Sequence, residues 1–347
     1  MPNNLGEQDY EKSCESGLIL DGNSSYLRLC ALGECANLEY MIQPNYLKAG
    51  DHIRIISTAR KISAEEIEAS KSLFESWGLK VEYGENLFAE DDQFAGTEAQ
   101  RTADLQAALD DESVKAIVFA RGGYGSVQVL DRIDWSNFKM KPKWLVGYSD
   151  ITVFHSYLNR AFGIESLHAP MPVNIKQDGS GLSKEAERDL HKALFGEQLN
   201  YNFQAHSFNT IQEDISGELV GGNLSILYSL SGSNAQLNGK GKIIFMEDLD
   251  EYLYHIDRML MNLIRSDLFE GCVGVLIGGM SDMNDNTIPY GKTAEEIIAH
   301  RLGELNIPLV FGFPAGHIHD NRPLILGRKA SISQNGNQMK LQFHERA

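Results

Sequence analysis

The sequence predicts an α/β protein, with a Rossmann-like and largely parallel sheet in an N-terminal domain and a smaller α/β domain after it. Two observations support this fold class. Short apolar strand patterns alternate with helix patterns from His52 onward, which is typical of parallel sheets. The 347 residues also suffice for two domains of ordinary size, since a domain holds roughly 100 to 200 residues.

The N-terminal domain is predicted over residues 41–175, and its regular pattern begins directly after Met41. Its strands are HIRIIST (52–58), KVEYGE (80–85), AIVFA (116–120) and WLVGY (144–148). Its helices are predicted from the capping-box residue Ser63 to Gly78, over 97–110, and over 150–162 with Gly163 as the stop. The glycine-rich segment 121–126 is predicted to be a tight turn that leads into another helix.

The C-terminal domain is predicted over residues 214–347, after a polar linker at 176–213. It starts with GELVGGNLSILYSL (217–230) and continues with the strands KIIFMED (242–248), VGVLIGG (273–279) and PLVFGFP (308–314). Helices are predicted over 252–266 and 293–302. The first of these has an inward apolar stripe, formed by Leu253, Ile256, Met259, Leu260 and Leu263.

Residues 1–40 differ from the rest of the chain, because they are polar and lack clear periodicity. We therefore expect an N-terminal appendage, with the folded protein beginning near Met41. The alternative is an N-terminal arm that packs on the surface. An appendage predicts that the protein stays folded and active when residues 1–40 are deleted.

The charge balance argues against several classes of function. The formal net charge of −17 comes from 31 Lys and Arg against 48 Asp and Glu, and such a field repels phosphate backbones. No stretch approaches the roughly 18 apolar residues of a membrane span. The start MPNNLGEQDYEK lacks the cationic and apolar parts of a secretory signal. We expect no nucleic-acid partner, no membrane partner and a cytoplasmic location.

The cysteines indicate neither disulfides nor a zinc site. Cys14, Cys30 and Cys35 lie near the N-terminus, and Cys272 is alone in the rest of the chain. They form no CxxC pair and no Cys/His cluster with zinc spacing. A reducing compartment and no structural metal are expected.

The segment GYSD (147–150) places Ser149 between an apolar strand and a helix. A serine at such a sharp turn exposes its oxygen, and the positive end of the helix favours developing negative charge. The pattern is related to the nucleophile elbow GxSxG, but Ile151 stands in place of the final glycine. Two roles are therefore open for Ser149, that of a nucleophile and that of a helix cap.

The segment RGGYGS (121–126) is another strand-to-helix turn. Its glycines expose backbone N–H groups and allow a bound group to approach closely. A dinucleotide loop with the spacing GxGxxG fails, because Gln128 stands where the third glycine belongs, and no P-loop lysine follows. A backbone oxyanion hole is the functional interpretation, and a purely structural turn is the alternative.

Two further strand ends carry titratable groups, FMED (245–248) and FPAGHIHD (313–320). Glu247 either forms a salt bridge with a neighbour or orients a catalytic group. His317 is either a structural histidine or a catalytic base. His317 and His319 stand two residues apart, which suggests a metal site, but a third ligand is missing.

The combination of these strand ends favours catalysis. In an open α/β sheet the loops at the carboxyl ends of the strands share one crevice, and Ser149, Glu247 and His317 are all predicted there beside the glycines of 121–125. Near pH 7 a serine needs a base, and the base needs an acid that fixes its tautomer. The sequence thus predicts a Ser–His–Glu triad.

Five motifs in order carry a resemblance to a known family: RGGYG, GYSDIT, GGNLSIL, MEDLDEYLYHIDRML and GFPAGH. Together they resemble the LD-carboxypeptidase family of serine peptidases, family S66, from about Asp51 to Gly327. Members have a Rossmann-like N-terminal half and a smaller C-terminal half. They include muramoyltetrapeptide carboxypeptidases of peptidoglycan recycling and immunity peptidases that cleave microcin C-type peptide-nucleotides.

The resemblance implies Ser149 as nucleophile, His317 as base and Glu247 as acid. Glu251 is a rival acid, and Glu247 is preferred because a residue at a strand end is held more rigidly. The N–H groups of Gly123 and Asp150 are the implied oxyanion hole.

Three more residues are candidates for substrate binding. Arg121 is a candidate for the free carboxylate that an exopeptidase must recognise, with a structural ion pair as the alternative. Tyr148 and Asn223 are candidates for lining the same pocket.

The implied reaction is hydrolysis of the bond between the L-centre of lysine or diaminopimelate and a terminal D-alanine. The resemblance implies a small muropeptide as substrate, no metal or organic cofactor, and a homodimer. A microcin C-type immunity peptidase remains open, as do a dinucleotide-dependent dehydrogenase and an inactive ligand-binding protein. The sequence does not distinguish lysine from diaminopimelate.

Overall fold

The fold is seen in a computed structural model that describes residues 41–345 and the short segments 29–31 and 34–36. Its strands are β1 Leu29–Ala31, β2 Glu34–Ala36, β3 His52–Ile56, β4 Lys80–Tyr83, β5 Val114–Phe119, β6 Trp144–Gly147, β7 Ser166–His168, β8 Asn200–Gln204, β9 Ile215–Asn223, β10 Lys242–Leu249, β11 Gly274–Ser281, β12 Leu309–Val310, β13 Leu324–Leu326, β14 Lys329–Asn335 and β15 Gln338–Phe343. Its α-helices are α1 Ala64–Ser76, α2 Glu98–Asp110, α3 Ser126–Leu130, α4 Ser136–Met140, α5 Thr152–Tyr157, α6 Lys184–Phe195, α7 Leu224–Ser229, α8 Leu253–Arg265 and α9 Ala294–Gly303.

Strands β1 and β2 pair in antiparallel fashion, with Cys30 opposite Cys35. They belong to a unit, Met1–Tyr40, that is separate from the compact unit Met41–Ala347. Most of residues 1–40 lie outside the described part of the chain, so the appendage remains a prediction, as do the domain boundaries.

Six described strands form the first sheet, in the order β13-β7-β6-β5-β3-β4. The pairs from β4 to β7 are parallel, and only β13 runs antiparallel to its neighbour β7. Strands β5 and β6 are largely buried and apolar, as expected where both faces of a parallel sheet are covered by helices, whereas the edge strand β4 is partly exposed. The predicted α/β class is confirmed, and the carboxyl ends of β3, β5 and β6 meet at one edge of this sheet.

Seven described strands form the second sheet, in the order β12-β11-β10-β9-β14-β15-β8. The part from β12 to β9 is parallel, and β14, β15 and β8 extend it in antiparallel fashion. Strand β13 lies in the first sheet although its sequence follows β12, so the later half of the chain completes the earlier sheet.

The helix signals in the sequence have the expected physical basis. Ser63 caps α1 in a capping box with Glu66. Helix α8 buries Ile256, Met259, Leu260 and Leu263, and Leu253 is partly buried at its start. The apolar stripe therefore faces the core as predicted.

Two segments differ from the sequence-based prediction. Residues 176–213, expected to be a linker, contain helix α6 and strand β8, the edge strand of the second sheet. Helix α6 buries Ala186, Leu190, Ala193 and Leu194, a stripe that many charged neighbours obscure in the sequence. The strand predicted over 308–314 is regular only at Leu309–Val310, because the chain then turns at Gly312, where φ is 79°.

Among the described residues, no helix combines the length and the apolar character that crossing a membrane requires.

Candidate active site

Ser149 lies in a sharp turn after strand β6, where a 3₁₀ turn over Ser149–Ile151 leads directly into α5. Its φ is 63°, a left-handed conformation that a residue with a side chain adopts only at a cost of roughly 1–3 kcal/mol. Such strain is tolerated where the geometry is needed for function. The turn therefore resembles a nucleophile elbow more than an ordinary helix cap.

Three side chains that are distant in the sequence form a continuous hydrogen-bonded chain. The Nε2 atom of His317 lies 3.1 Å from the Oγ atom of Ser149. The Nδ1 atom of His317 lies 2.7 Å from the Oε2 atom of Glu247. With Nδ1–H donating to the carboxylate, Nε2 is free to accept the serine proton. This arrangement is able to activate a serine for nucleophilic attack.

Glu247 lies near the end of β10 and is fully buried. The register between β10 and β11 shifts beside it, because Met246 pairs with Ile277 whereas Asp248 pairs with Met280. A bulge of this kind re-aims side chains, and bulges are frequent beside active sites. The irregular pairing lies directly beside two consecutive buried carboxylates, Glu247 and Asp248.

A glycine at residue 316 leaves room for the side chain of Glu247 next to His317. At Gly316, where φ is 107°, a Cβ atom would lie 2.6 Å from Oε2 of Glu247. The N–H of Gly316 donates to Oδ1 of Asn321 at 2.8 Å, and the carbonyl of His317 accepts from Oγ of Ser281 at 2.9 Å. These contacts hold the loop that carries His317 (residues 314–320) against Glu247.

We expect Gly316→Ala to lower kcat/KM by about tenfold or more, because a displaced acid weakens orientation of the base and misplacement by 1 Å is costly. The added methyl group also strains the backbone, so the melting temperature should fall. Gly50→Ala is the matched control, since φ is 93° there and a Cβ atom would meet nothing within 4 Å. Equal kinetic losses in both variants would contradict the crowding argument.

The electrostatic environment raises the pKa of His317 above its ordinary value. Burial is the largest single influence and opposes protonation, but the charge of Glu247, its hydrogen bond and the charge of Asp248 together outweigh it. Asp248 is itself buried, and burial with the neighbouring charge of Glu247 raises its pKa to about 7. The protonated form of His317 is thus stabilised by the neighbouring carboxylates of Glu247 and Asp248.

The raised pKa of His317 sets an expected pH profile. The base must be neutral to accept a proton, so kcat/KM should fall as the pH drops through the pKa of His317. We expect the midpoint of this acid limb above 6.5, the ordinary value for histidine. Asp248→Asn should move it downward, because one of the charges that raise this pKa is removed. A wild-type midpoint at or below 6.5 would contradict the assignment.

The glycine loop lies directly against the serine turn. A Cβ atom at Gly122 would lie 3.1 Å from Cβ of Ser149 and 3.4 Å from the backbone nitrogen of Asp150. Within the described part of the chain, the N–H of Gly123 has no hydrogen-bond acceptor. The two predicted oxyanion donors, Gly123 and Asp150, therefore belong to adjacent backbone segments beside Ser149.

The Asp150 side chain ties the two turns together. Its Oδ2 atom accepts from the N–H of Ser126 at 2.8 Å, at the end of the glycine loop. Burial raises the pKa of Asp150 to about 6. The contact fixes the glycine loop relative to the residue that follows the serine.

The structure places the remaining candidates differently. Tyr148 is buried, with its ring centroid 4.8 Å from that of His317, so it packs on the base. Asn223 is buried and donates to Oδ1 of Asp248 at 2.9 Å and to Oε1 of Glu247 at 3.4 Å. Tyr148 contacts His317 and Asn223 contacts Glu247, and neither presents an open surface.

Arg121 and Glu251 have partners away from the Ser149–His317 contact. Arg121 donates to the carbonyl of Lys61 at 3.2 Å and lies 3.6 Å from a carboxylate oxygen of Glu66. Glu251 lies 2.6 Å from Nδ1 of His255, so the structure brings Glu247, and not Glu251, to His317. His319 is exposed two residues beyond the base.

Sequence reasoning missed two contributors. From the sequence alone, Asp248 has no role beyond its place in the ED pair. In the structure Asp248 is buried beside Glu247 and affects His317, the predicted base. The expected linker also supports the histidine loop, since Ser183 donates from Oγ to Oδ1 of Asp320 at 2.6 Å and from N–H to the carbonyl of His319 at 3.1 Å. The only signal for this contact was a serine before a helix pattern.

Comparison with known proteins is consistent with this geometry. Residues 53–169 match the LD-carboxypeptidase N-terminal domain, and residues 216–332 match the LD-carboxypeptidase C-terminal domain. A putative carboxypeptidase of Streptomyces coelicolor is 31% identical over 282 residues, which cover 80% of this chain and 88% of the relative. A probable murein peptide carboxypeptidase of Bacillus subtilis is 30% identical, over 84% of this chain and 91% of the relative.

Solved structures share the fold. A muramoyltetrapeptide carboxypeptidase from Oxalobacter formigenes aligns with a TM-score of 0.76 at 24% identity, over 85% of this chain and 99% of the other. An MccF-like protein from Bacillus anthracis aligns with a TM-score of 0.74 at 24% identity, over 87% and 100% of the two chains. These likenesses show the same two-domain α/β fold.

Proposed function

This chain belongs to the LD-carboxypeptidase family and is a carboxypeptidase, and we propose that it is a serine LD-carboxypeptidase of muropeptides. It removes the terminal D-alanine from the L-centre of diaminopimelate or lysine. The observation that carries the serine mechanism is the continuous contact from Ser149 through His317 to Glu247. The names of the relatives, among them a murein tetrapeptide carboxypeptidase of Pseudomonas aeruginosa at 26% identity, support the substrate class.

The first half of the reaction is acyl transfer to the enzyme. His317 accepts the proton of Ser149 at Nε2 while the serine oxygen attacks the carbonyl carbon of the scissile bond. Glu247 holds the imidazole in the tautomer with its proton on Nδ1 and stabilises the imidazolium. The attack gives a tetrahedral intermediate. When this intermediate collapses, the C–N bond breaks and the imidazolium gives its proton to the amine of the departing D-alanine.

The N–H groups of Gly123 and Asp150 stabilise the oxyanion of this intermediate. Each preorganised donor of this kind contributes about 3–4 kcal/mol to the transition state. In the second half, water attacks the acyl-serine with His317 again as base, and the shortened peptide leaves.

Release of one alanine from L-Ala-γ-D-Glu-diaminopimelate-D-Ala tests this function. Mass spectrometry should find the tripeptide and free D-alanine. Comparing the rates for this peptide and for its lysine analogue shows which third residue the enzyme prefers. A protein that leaves this tetrapeptide intact but cleaves another carboxyl-terminal bond would refute the proposed substrate.

The microcin C-type immunity peptidase is the second candidate from the family. The structural likeness to MccF itself is at 18–20% sequence identity, which supports the fold and not the substrate. Hydrolysis of an aminoacyl-nucleotide, compared with D-alanine release under the same conditions, separates the two candidates.

Family resemblance also leads us to propose a homodimer that acts in the cytoplasm. Sedimentation at several protein concentrations tests the dimer, and fractionation of cells that express the full chain tests the location.

A further inference from the structure

Arg60 lies in the loop that follows strand β3 and contacts Gly123, whose neighbour Gly122 lies against Ser149. Its side chain packs across that loop: a Cβ atom at Gly123 would lie 2.6 Å from Cγ and Cδ of Arg60 and 2.9 Å from Nε. A residue with a side chain at position 123 would collide with Arg60 unless the arginine moved. The loop that holds the predicted oxyanion donor is therefore in contact with a cationic side chain from the loop after β3.

The guanidinium of Arg60 is exposed, and no acceptor in the described part of the chain contacts it. Its neighbours differ in this respect. Arg121 is engaged by Glu66, and the ammonium of Lys61 lies 2.6 Å from Glu90. In a chain with a net charge of −17, an arginine that packs on the glycine loop and has no carboxylate partner among the described residues is available for a carboxylate from outside.

The backbone around Arg60 is fixed before any ligand binds. The carbonyl of Arg60 accepts from Oγ of Ser57 at 2.8 Å. Ala59 and Lys61 on either side form backbone hydrogen bonds to Ala95 and Gln93, each of 3.0 Å. A preorganised group loses little freedom on binding, which favours affinity.

The strand order brings the loops that carry Arg60 and Ser149 to the same edge of the first sheet. Strand β5 lies between β3 and β6, so the loops that carry Arg60 and Ser149 start about 10 Å apart, at about 4.8 Å per strand. The arginine side chain covers part of this distance along Gly123. A single leaving residue spans at most about 3.6 Å, so a cation that binds its carboxylate has to lie close to the attacked carbonyl.

We propose that Arg60 binds the terminal carboxylate of the leaving amino acid and thereby restricts cleavage to the last peptide bond. The inference rests on the proposed function. A guanidinium presents two parallel N–H donors that match a carboxylate. The role that sequence reasoning gave to Arg121 thus passes to Arg60, because Arg121 is already paired within the protein.

The test compares two tetrapeptides that differ only at the terminus, one with a free carboxylate and one with a carboxamide. Arg60→Gln should lower kcat/KM for the acid by about 10- to 100-fold, the range for a charged hydrogen-bonded contact, and should leave the value for the amide near that of wild type. Arg60→Lys should retain part of the activity on the acid. Lys61→Gln removes an equal charge from the next residue and should leave both substrates unaffected.

Several results would overturn the proposal. Equal losses on acid and amide, or no loss on either, would show that Arg60 does not contact the terminal carboxylate. A loss confined to diaminopimelate peptides and absent with lysine peptides would assign Arg60 to the side-chain carboxylate of the third residue. A wild-type protein that releases no D-alanine from the acid would instead refute the proposed function, and the role of Arg60 with it. Thermal melts of the variants confirm that folded proteins are compared.

Discussion

Ser149→Ala is expected to lower kcat for D-alanine release by about 10⁴-fold or more, as when the nucleophile of other serine hydrolases is removed. Among the described residues, no other hydroxyl is hydrogen-bonded to the imidazole of His317. Binding should change little, because the substitution removes one oxygen and keeps the turn. The measurement is single-turnover release of D-alanine at saturating enzyme.

The fold should survive this substitution. Alanine tolerates a φ of 63° as poorly as serine does, so the strain at Ser149 is unchanged, and the melting temperature should stay within a few degrees. Ser76→Ala, at the exposed end of α1, is a control for removal of a hydroxyl elsewhere. Near-wild-type turnover by Ser149→Ala would remove the nucleophile assignment.

Glu247→Gln is expected to lower kcat on the order of 10³- to 10⁴-fold, as when the acid of a serine triad becomes an amide. The glutamine amide has nearly the shape of the carboxylate but donates a hydrogen bond to Nδ1 of His317. The histidine then carries its proton on Nε2, where it cannot accept from Ser149.

Glu251→Gln is the matched control for the acid. Its carboxylate contacts His255 and not His317, so turnover should stay within about threefold of wild type, since loss of a partly solvated contact near the surface has only small effects. A reversed result, with a large loss in Glu251→Gln and a small loss in Glu247→Gln, would make Glu251 the acid.

Most of the fold was predictable because its local signals agree with its tertiary structure. Apolar runs mark β5, β6 and β10, apolar residues around Arg54 mark β3, and the capping boxes at Ser63 and Thr293 mark helix starts. The region of α6 and β8 was missed because polar residues dominate it and only the tertiary structure reveals its buried stripe. Strand β13 joins the first sheet through a long-range pairing with β7, which no local pattern encodes.

The candidate site was predictable to a similar extent. Ser149, Glu247 and His317 were predicted to come together because they follow strands, and the carboxyl ends of parallel strands meet in one crevice. The choice between Glu247 and Glu251 required coordinates, since both lie in one motif and only the structure shows that Glu247 contacts His317 while Glu251 contacts His255. The availability of Arg60 was equally hidden, because it depends on which neighbouring cations already have partners.

The most direct test of the serine mechanism is to locate the acyl group in an acid-quenched reaction of enzyme with excess tetrapeptide. Peptide mapping should find Ser149 carrying the mass of the substrate minus one alanine, and His317→Ala should not accumulate this adduct. An acyl group on any other side chain would contradict the account, because the hydroxyl that His317 contacts would then not be the group that attacks.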